Sequence, residues 1–334
     1  MKKILALLWL LLFIGVLAHA EGFSFNYEYN SYFVYPSGTN VCIYATLKEG
    51  ANGTPITAAL TDSDGTVLCE KQYSSRNETH GFTFVMPDDW TGMHELAVYV
   101  DGEQCSEIFP VFVKEQLKPV KRVETDEHKI AITIDCGSGG TYGALEWLEV
   151  LEKYDARATF FLTGRWASEH PEAVEAIVAA GHEVGNHSYN HYHMETVSAW
   201  KTIKYELLGA NAVIEELSGY SPVLFRVPYG NWQYSLGTIC KNLGFKYTVQ
   251  WTISACDSDE TVTASFMLGH LMLNNIEDGS IVLFHVGNPA ISEMGKALDY
   301  YKNTLGFELV AAGDLLPEDS ENYHVDEDFV LRHN

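Results

Sequence analysis

His187 and His191 stand four residues apart in the stretch Gly185-Asn186-His187-Ser188-Tyr189-Asn190-His191. One helical turn or a tight loop brings two imidazoles at that spacing to one point in space. Neutral imidazole is the commonest metal ligand, so the pair opens a site for a divalent metal, zinc in the first instance. Two surface histidines share the same spacing, and two ligands do not complete a site. The other chemistry-bearing residues decide between these readings. Asp135 and Asp257 offer carboxylates, Arg226 a permanent cation, His285 a third imidazole and Cys136 a thiol. Metal ligands, a base and an acid are the parts of a metal-assisted hydrolysis.

These residues fall at regular places in an alternating pattern. From Lys129 onward, β-branched and aromatic runs alternate with helical stretches. Strands are expected at 130–135, 158–163, 183–186, 223–227, 246–252, 280–285 and 307–310, with helices between them, including a long one over 200–217. Such alternation implies parallel strands, right-handed crossovers and helices outside. Seven units predict an incomplete or distorted version of the eight-unit (β/α) barrel, an α/β fold whose site gathers at the strands' C-terminal ends. Asp135 and Cys136 end the first strand, and His187 and His191 follow the third. Arg226 to Gly230 follow the fourth, Trp251 and Asp257 the fifth, and Leu283 to His285 end the sixth. Structural ion pairing explains any one of these residues, but not one at nearly every strand end.

The remainder of the chain frames this domain. Lys2 and Lys3, the apolar run from Ile4 to Leu17 and Ala18-His19-Ala20 form a secretory signal peptide over 1–20, so a secreted, extracellular or wall-associated protein is expected. No later segment is apolar enough to span a bilayer. The net charge is -24, and loss of Lys2 and Lys3 leaves 19 basic against 45 acidic side chains, or -26. That surface repels phosphodiester backbones, which makes nucleic acid a poor partner, and the default state is a monomer. Residues 21–117 read as short strands with turn signals such as Asp62-Ser63-Asp64-Gly65, a small all-β immunoglobulin-like sandwich. That domain holds no catalytic cluster, and its role is a spacer, a lid or a glycan-binding module. Residues 118–128 read as a linker, 129–316 as the barrel, and 317–334 as an acidic surface or disordered tail. The six cysteines match no zinc-ribbon spacing and no disulfide framework.

The strand-end residues resemble the polysaccharide deacetylases, carbohydrate esterase family 4. That family's motifs run T-F-D-D-G, H-S/T-x-x-H, R-x-P-Y-G, D-W and L-x-H. Their counterparts are Thr133-Ile134-Asp135-Cys136-Gly137, His187-Ser188-Tyr189-Asn190-His191, Arg226-Val227-Pro228-Tyr229-Gly230, Asp257-Ser258 and Leu283-Phe284-His285. The resemblance covers about residues 129 to 315. The wording around Thr159 to Gly164 and Gly181 to Ser188 is similar to bacterial peptidoglycan N-acetylmuramic acid deacetylases. It implies a metal on His187 and His191, Asp135 as the base for a water, and the Tyr229 backbone N–H at the oxyanion. It implies His285 as the acid for the departing sugar amine, kept protonated by Asp257, with Arg226 orienting Asp135. Trp251 and Leu283 would wall the acetyl pocket, or serve as core residues of their strands. The implied partner is an N-acetylated polysaccharide, peptidoglycan first, with chitin-like oligomers or O-acetylated xylan as alternatives.

The sequence departs from the family in two places. Cys136 stands where the family's metal-binding aspartate stands. A thiolate would give a Cys-His-His zinc site. A neutral thiol away from the metal would leave two histidines and a weaker site. An oxidised Cys136, paired with Cys240 or Cys256, would leave the site dead, and a Cys240–Cys256 pair is equally open. Ser258 replaces the family's tryptophan, which predicts a more open groove. The rival to an enzyme is a glycan-binding protein that kept the barrel and lost the metal.

Overall fold

The computed structural model describes residues 117–334 apart from 138–140, 198–200 and 260, and before residue 117 it describes Thr66 and the strands named below. The signal peptide and the Asp62-Ser63-Asp64-Gly65 turn lie outside the described residues. The chain divides into two compact units, Met1–Glu115 and Gln116–Asn334.

Strands make up the first unit's described residues apart from Thr66. Phe23–Phe25, Asn40–Leu47 and Thr79–Val85 form one antiparallel sheet. Val34–Tyr35, Phe109–Val113, Gly92–Val100, Pro55–Thr61 and Val67–Ser74 form a second, with Glu103–Gln104 at the side of Gly92–Val100. In that second sheet Ala58 faces Val98 and Leu60 faces Leu96, and all four are buried. Residues two apart share a face of a strand, so this is one apolar face.

Gln116–Asn334 is built on a sheet of nine strands. They are β1 (Pro119–Val120), β2 (Lys129–Cys136), β3 (Ala158–Leu162), β4 (Glu183–Asn186), β5 (Leu224–Phe225), β6 (Tyr247–Val249), β7 (Ile253–Ser254), β8 (Ile281–His285) and β9 (Glu308–Val310). Their spatial order is β1-β6-β5-β4-β3-β2-β8-β7, with β9 against the start of β2, and every pairing is parallel. All seven expected strands are present. The two additional ones, β1 and β7, are only two residues long and, unlike the equally short β5, fall outside the apolar runs read as strands. The path is open, as expected for an incomplete barrel.

Alternation along each strand separates two cores. Ile130, Ile132 and Ile134 of β2, Phe160 of β3, and Val282 and Phe284 of β8 pack against the helices. Those helices are Thr141–Lys153, through Trp147 and Leu151, Pro171–Ala179, through Val174 and Ile177, and Ile291–Asp299, through Met294 and Leu298. Ala131, Phe161, Leu224, Tyr247, Val249 and Ile281 face the opposite, inner side.

Two expected boundaries are corrected. Residues 118–128 are not a linker. β1 pairs with β6, Arg122–Val123 pairs with Val330–His333, and Val120 and Val123 are buried in the inner core. Nor is 317–334 a free tail. Tyr323–Val325 and Val330–His333 pair antiparallel, and Leu331 is buried in the same inner core. The acidic residues of that segment hid a few apolar ones that complete the core. The expected helix over 200–217 is a π-helical stretch, Thr202–Leu207, followed by the α-helix Leu208–Ser218.

Candidate active site

Because all the strands run parallel, their C-terminal ends share one edge of the sheet. Asp135 and His285 face each other there, paired in register on β2 and β8. Asp135 lies on the inner side, alternating with the isoleucines, and is 4% exposed. Its Oδ1 accepts from Arg226 Nη1 at 2.8 Å, and its Oδ2 lies 3.4 Å from His187 Nε2. Burial alone would raise its pKa. The Arg226 guanidinium above all, with smaller help from the neighbouring His187 and His285 rings, outweighs burial and holds the carboxyl below the ordinary carboxylate range.

Arg226 is fully buried. Beyond Asp135, its Nε donates to the Val249 carbonyl at 3.2 Å and its Nη2 to that of Gln250 at 3.0 Å. Its guanidinium carbon sits 4.2 Å from the centre of the Phe161 ring. A charge taken so far from water persists only with partners of this quality.

His285 holds the opposite character. Its Nδ1 is 2.7 Å from Asp257 Oδ1, and its backbone N–H donates to Asp257 Oδ2 at 2.8 Å. Burial pulls its pKa down, but the hydrogen bond and charge of Asp257 win and raise it above 6.5. Asn288 donates to the Asp257 carbonyl, and Trp147 Nε1 donates to the His285 carbonyl, so both residues of the pair are anchored.

The two histidines sit on a loop braced from below. Asn186 Oδ1 accepts from the Ser188 N–H, and Ser188 Oγ accepts from the His191 N–H. Glu206, 2% exposed on the π-helical stretch, accepts from the N–H groups of Tyr189 and Asn190 and from Asn190 Nδ2. Sequence reasoning missed Glu206, although a carboxylate set among Ile203, Leu207 and Ala210 signals a buried acceptor role. A π-bulge at a functional site is a recurrent device. Gly137 must also be small, since a Cβ there would lie 2.9 Å from His191 Cδ2. Ser188, His191, Tyr229 and Cys256 all have positive φ, four of the six such non-glycine residues among those described. Backbone strain of this kind gathers at active sites.

The imidazoles suit a metal ion as two of its ligands. Their ring centroids are 4.9 Å apart. Burial lowers the pKa of His187, and brings that of His191 down to about 4, so both are neutral. His187 Nδ1 donates to the Arg226 carbonyl at 2.8 Å, which leaves the Nε2 lone pair facing the Asp135 carboxylate. Two lone pairs so placed repel unless a cation or a proton lies between them, so the donor set fits a divalent ion.

Cys136 does not join them. It shares the helix-side face of β2 with Ile130, Ile132 and Ile134, and its thiol belongs to that apolar cluster. Burial and the neighbouring Asp135 push the thiol pKa well above its ordinary value, so it stays protonated. Among the described residues no third His, Cys, Asp or Glu completes a metal group. The expected thiolate ligand is therefore corrected by strand alternation. Cys136, Cys240 and Cys256 are all free thiols, which also corrects the expected disulfides.

The remaining expected residues surround the same edge. Tyr229, at φ 60° in the Pro228–Gly230 turn, stacks on His193 at 3.9 Å and meets His191 edge-on at 4.6 Å. The Trp251 ring centre is 5.7 Å from the Arg226 guanidinium carbon. Leu283 is buried on the inner side of β8, two residues before His285.

A profile described as polysaccharide deacetylase matches residues 122–248. An uncharacterized protein of Bacillus subtilis is 29% identical over 205 residues, which is 61% of this chain and 62% of that protein. A peptidoglycan-N-acetylglucosamine deacetylase of Bacillus cereus is 28% identical over 214 residues, 62% of this chain and 98% of that one. Among solved structures, a carbohydrate esterase family 4 pseudoenzyme from Bacillus anthracis superposes with a TM-score of 0.56 at 27% identity, covering 63% of this chain and 75% of that one.

Proposed function

The chain belongs to the polysaccharide deacetylase family, and we propose that it hydrolyses the acetamide of N-acetylated sugar units in a glycan, with peptidoglycan as the polymer. The observation that carries this reading is the facing pair on β2 and β8: Asp135, bonded to Arg226, with its pKa lowered, and His285, bonded to Asp257, with its pKa raised. Pairs of groups with pKa values pushed apart mark the base and the acid of a site. Asp135 takes the proton of the attacking water, and Arg226 fixes the carboxylate's direction. His285 delivers a proton to the departing sugar amine, which leaves poorly as an anion. The Tyr229 backbone N–H faces the developing oxyanion, and Trp251 and Leu283 bound the acetyl pocket. A divalent ion on His187 and His191, zinc in the first instance, supplies Lewis-acid polarisation of the acetyl carbonyl when bound. The expected signal peptide over residues 1–20 supports action outside the cytoplasm, and an immunoglobulin-like spacer is the reading for residues 21–117.

The acid gives the pH dependence its sign. A raised pKa keeps His285 protonated above 6.5, and activity is lost as pH rises through the shifted value. In Asp257→Asn the raising charge is gone while burial remains, so the alkaline limb of kcat/KM moves to lower pH. An unchanged limb would show that His285 is not the acid.

The metal assignment separates the histidines from the cysteine. His191→Ala should weaken zinc binding, read by calorimetry, by more than the roughly 10–100-fold that loss of an outer partner costs. Cys136→Ala should leave that affinity within about twofold, because the thiol faces the helix layer. An equal loss in both variants would return Cys136 to the ligand set.

A second reading follows from Cys136 and from the pseudoenzyme likeness: a glycan-binding protein without turnover. Acetate release from peptidoglycan tests the choice, since a binder releases none while retaining affinity for the polymer.

A further inference from the structure

The loops after β4 and β5 meet through a bracket of side chains that the reaction scheme does not use. His193, two residues past His191 and outside the motifs, lies flat on the Tyr229 ring. The ring centroids are 3.9 Å apart and the planes 5° from parallel. Glu195 Oε1 sits 3.3 Å from His193 Nδ1 and accepts from Asn231 Nδ2 at 3.0 Å. Asn231 Nδ2 itself lies 3.4 Å from His193 Nδ1. His193 and Glu195 belong to the loop after β4, and Tyr229 and Asn231 to the loop after β5. Each loop therefore contributes one ring and one hydrogen-bonding side chain.

The two halves of the bracket differ in firmness. The His193 carbonyl accepts from the Thr196 N–H at 2.8 Å and from Thr196 Oγ1 at 2.7 Å. These bonds close the short turn Met194–Thr196, which is anchored by the buried Met194. The Tyr229 turn is looser. Tyr229 holds φ at 60°, a region costly for a bulky side chain. Its turn is closed by the Gly230 N–H on the Val227 carbonyl at 3.3 Å and the Asn231 N–H on the Pro228 carbonyl at 3.4 Å, both long for hydrogen bonds. Tyr229 is 53% exposed, so burial does not hold it either. A strained conformation persists only where its surroundings over-determine it. His193 on the face of the ring and His191 edge-on to it supply that constraint.

We propose that His193 is a positioning residue for the deacetylation, fixing the Tyr229 turn so that its backbone N–H stays aimed at the oxyanion. The direction of that N–H follows from the backbone at Pro228 and Tyr229. A donor contributes most to a developing charge when it need not move to meet it. Glu195 serves the same end from both sides, steadying the His193 ring and tying Asn231, two residues past the Tyr229 N–H, to the opposite loop. The role needs the flat shape of the His193 ring and not its charge. The proposal rests on the hydrolase reading, which places the oxyanion at Tyr229.

The test compares His193→Ala with His193→Phe, which keeps a flat ring, at saturating zinc. For acetate release from N-acetylglucosamine oligomers, the alanine variant is expected to lose about tenfold in kcat with KM within about twofold, the pattern of an interaction made in the transition state. The phenylalanine variant should stay within about threefold of the parent, because the stacked ring remains. Zinc affinity, read by calorimetry, should stay within about twofold in both, since neither change touches a ligand. Amide hydrogen exchange gives a readout that needs no turnover. Residues 228–231 should exchange faster in the alanine variant and regain protection with phenylalanine. Unchanged kcat or unchanged exchange in His193→Ala, a loss that phenylalanine does not recover, or zinc affinity falling in step with the rate would each overturn the proposal. A parent that releases no acetate would sink the hydrolase reading and the oxyanion role with it. A parent that releases acetate beside an equally active alanine variant would sink the positioning role alone.

Discussion

Asp135→Asn is expected to lower kcat/KM for acetate release by about 10²–10⁴-fold, the contribution of a positioned general base. Asparagine keeps the shape of the side chain, and its oxygen can still accept from Arg226 Nη1, which lies 2.8 Å from Asp135 Oδ1. It cannot take a proton. It also removes the charge that faces His187 Nε2 at 3.4 Å, so zinc affinity should fall modestly as well. Saturating zinc and a circular dichroism check for folding separate these effects, leaving the rate loss to the chemistry. A variant that retains more than about a tenth of the parent rate under those conditions would remove Asp135 from the mechanism.

Arg226→Ala should produce the largest loss of stability. The guanidinium is fully buried, and Asp135 beside it is 4% exposed. Removing one partner strands the other charge, which costs about 3–5 kcal/mol. The Val249 and Gln250 carbonyls lose their donors, and the Phe161 ring loses the cation above it. In a domain of this size each kcal/mol is worth roughly 2–4 °C in Tm, so a fall of about 10 °C is expected by calorimetry. The pKa of Asp135 should rise once its strongest stabilising charge is gone. In Arg226→Gln, which removes the charge and where enough of the protein stays folded to assay, the acid limb of the activity profile should therefore move to higher pH. Lysine brings a charge but not the fork that reaches both carbonyls, so it should recover only part of the stability. An alanine variant with an unchanged Tm would show that the pair is solvated in solution.

Much of this arrangement was legible in the sequence, for identifiable reasons. The seven strands of the expected barrel are β-branched and aromatic runs between helical ones, and all seven stand in the sheet. Parallel strands forced Asp135, His187, Arg226 and His285 to one edge, which is why strand-end polarity located the site. What escaped was short or carried by a minority of residues. β1 and β7 have two residues each and, unlike the equally short β5, lie outside the β-branched and aromatic runs that mark the strands. Val330 and Leu331 finish the inner core, but they lie in an acidic segment that reads as tail. Glu206 is one carboxylate in a helical run, and its role shows only when the histidine loop lands on it. Motif position puts Cys136 at the metal, and strand alternation turns it the other way.

The most direct test of the central claim is acetate release from peptidoglycan and N-acetylglucosamine oligomers by chelated protein, with and without added zinc, under reducing conditions. The account predicts no release from the chelated protein, and release restored by zinc in the parent but not in Asp135→Asn. No release from the parent on either substrate with any divalent metal, from protein that still binds the glycan, would contradict it and leave the glycan-binding reading in its place.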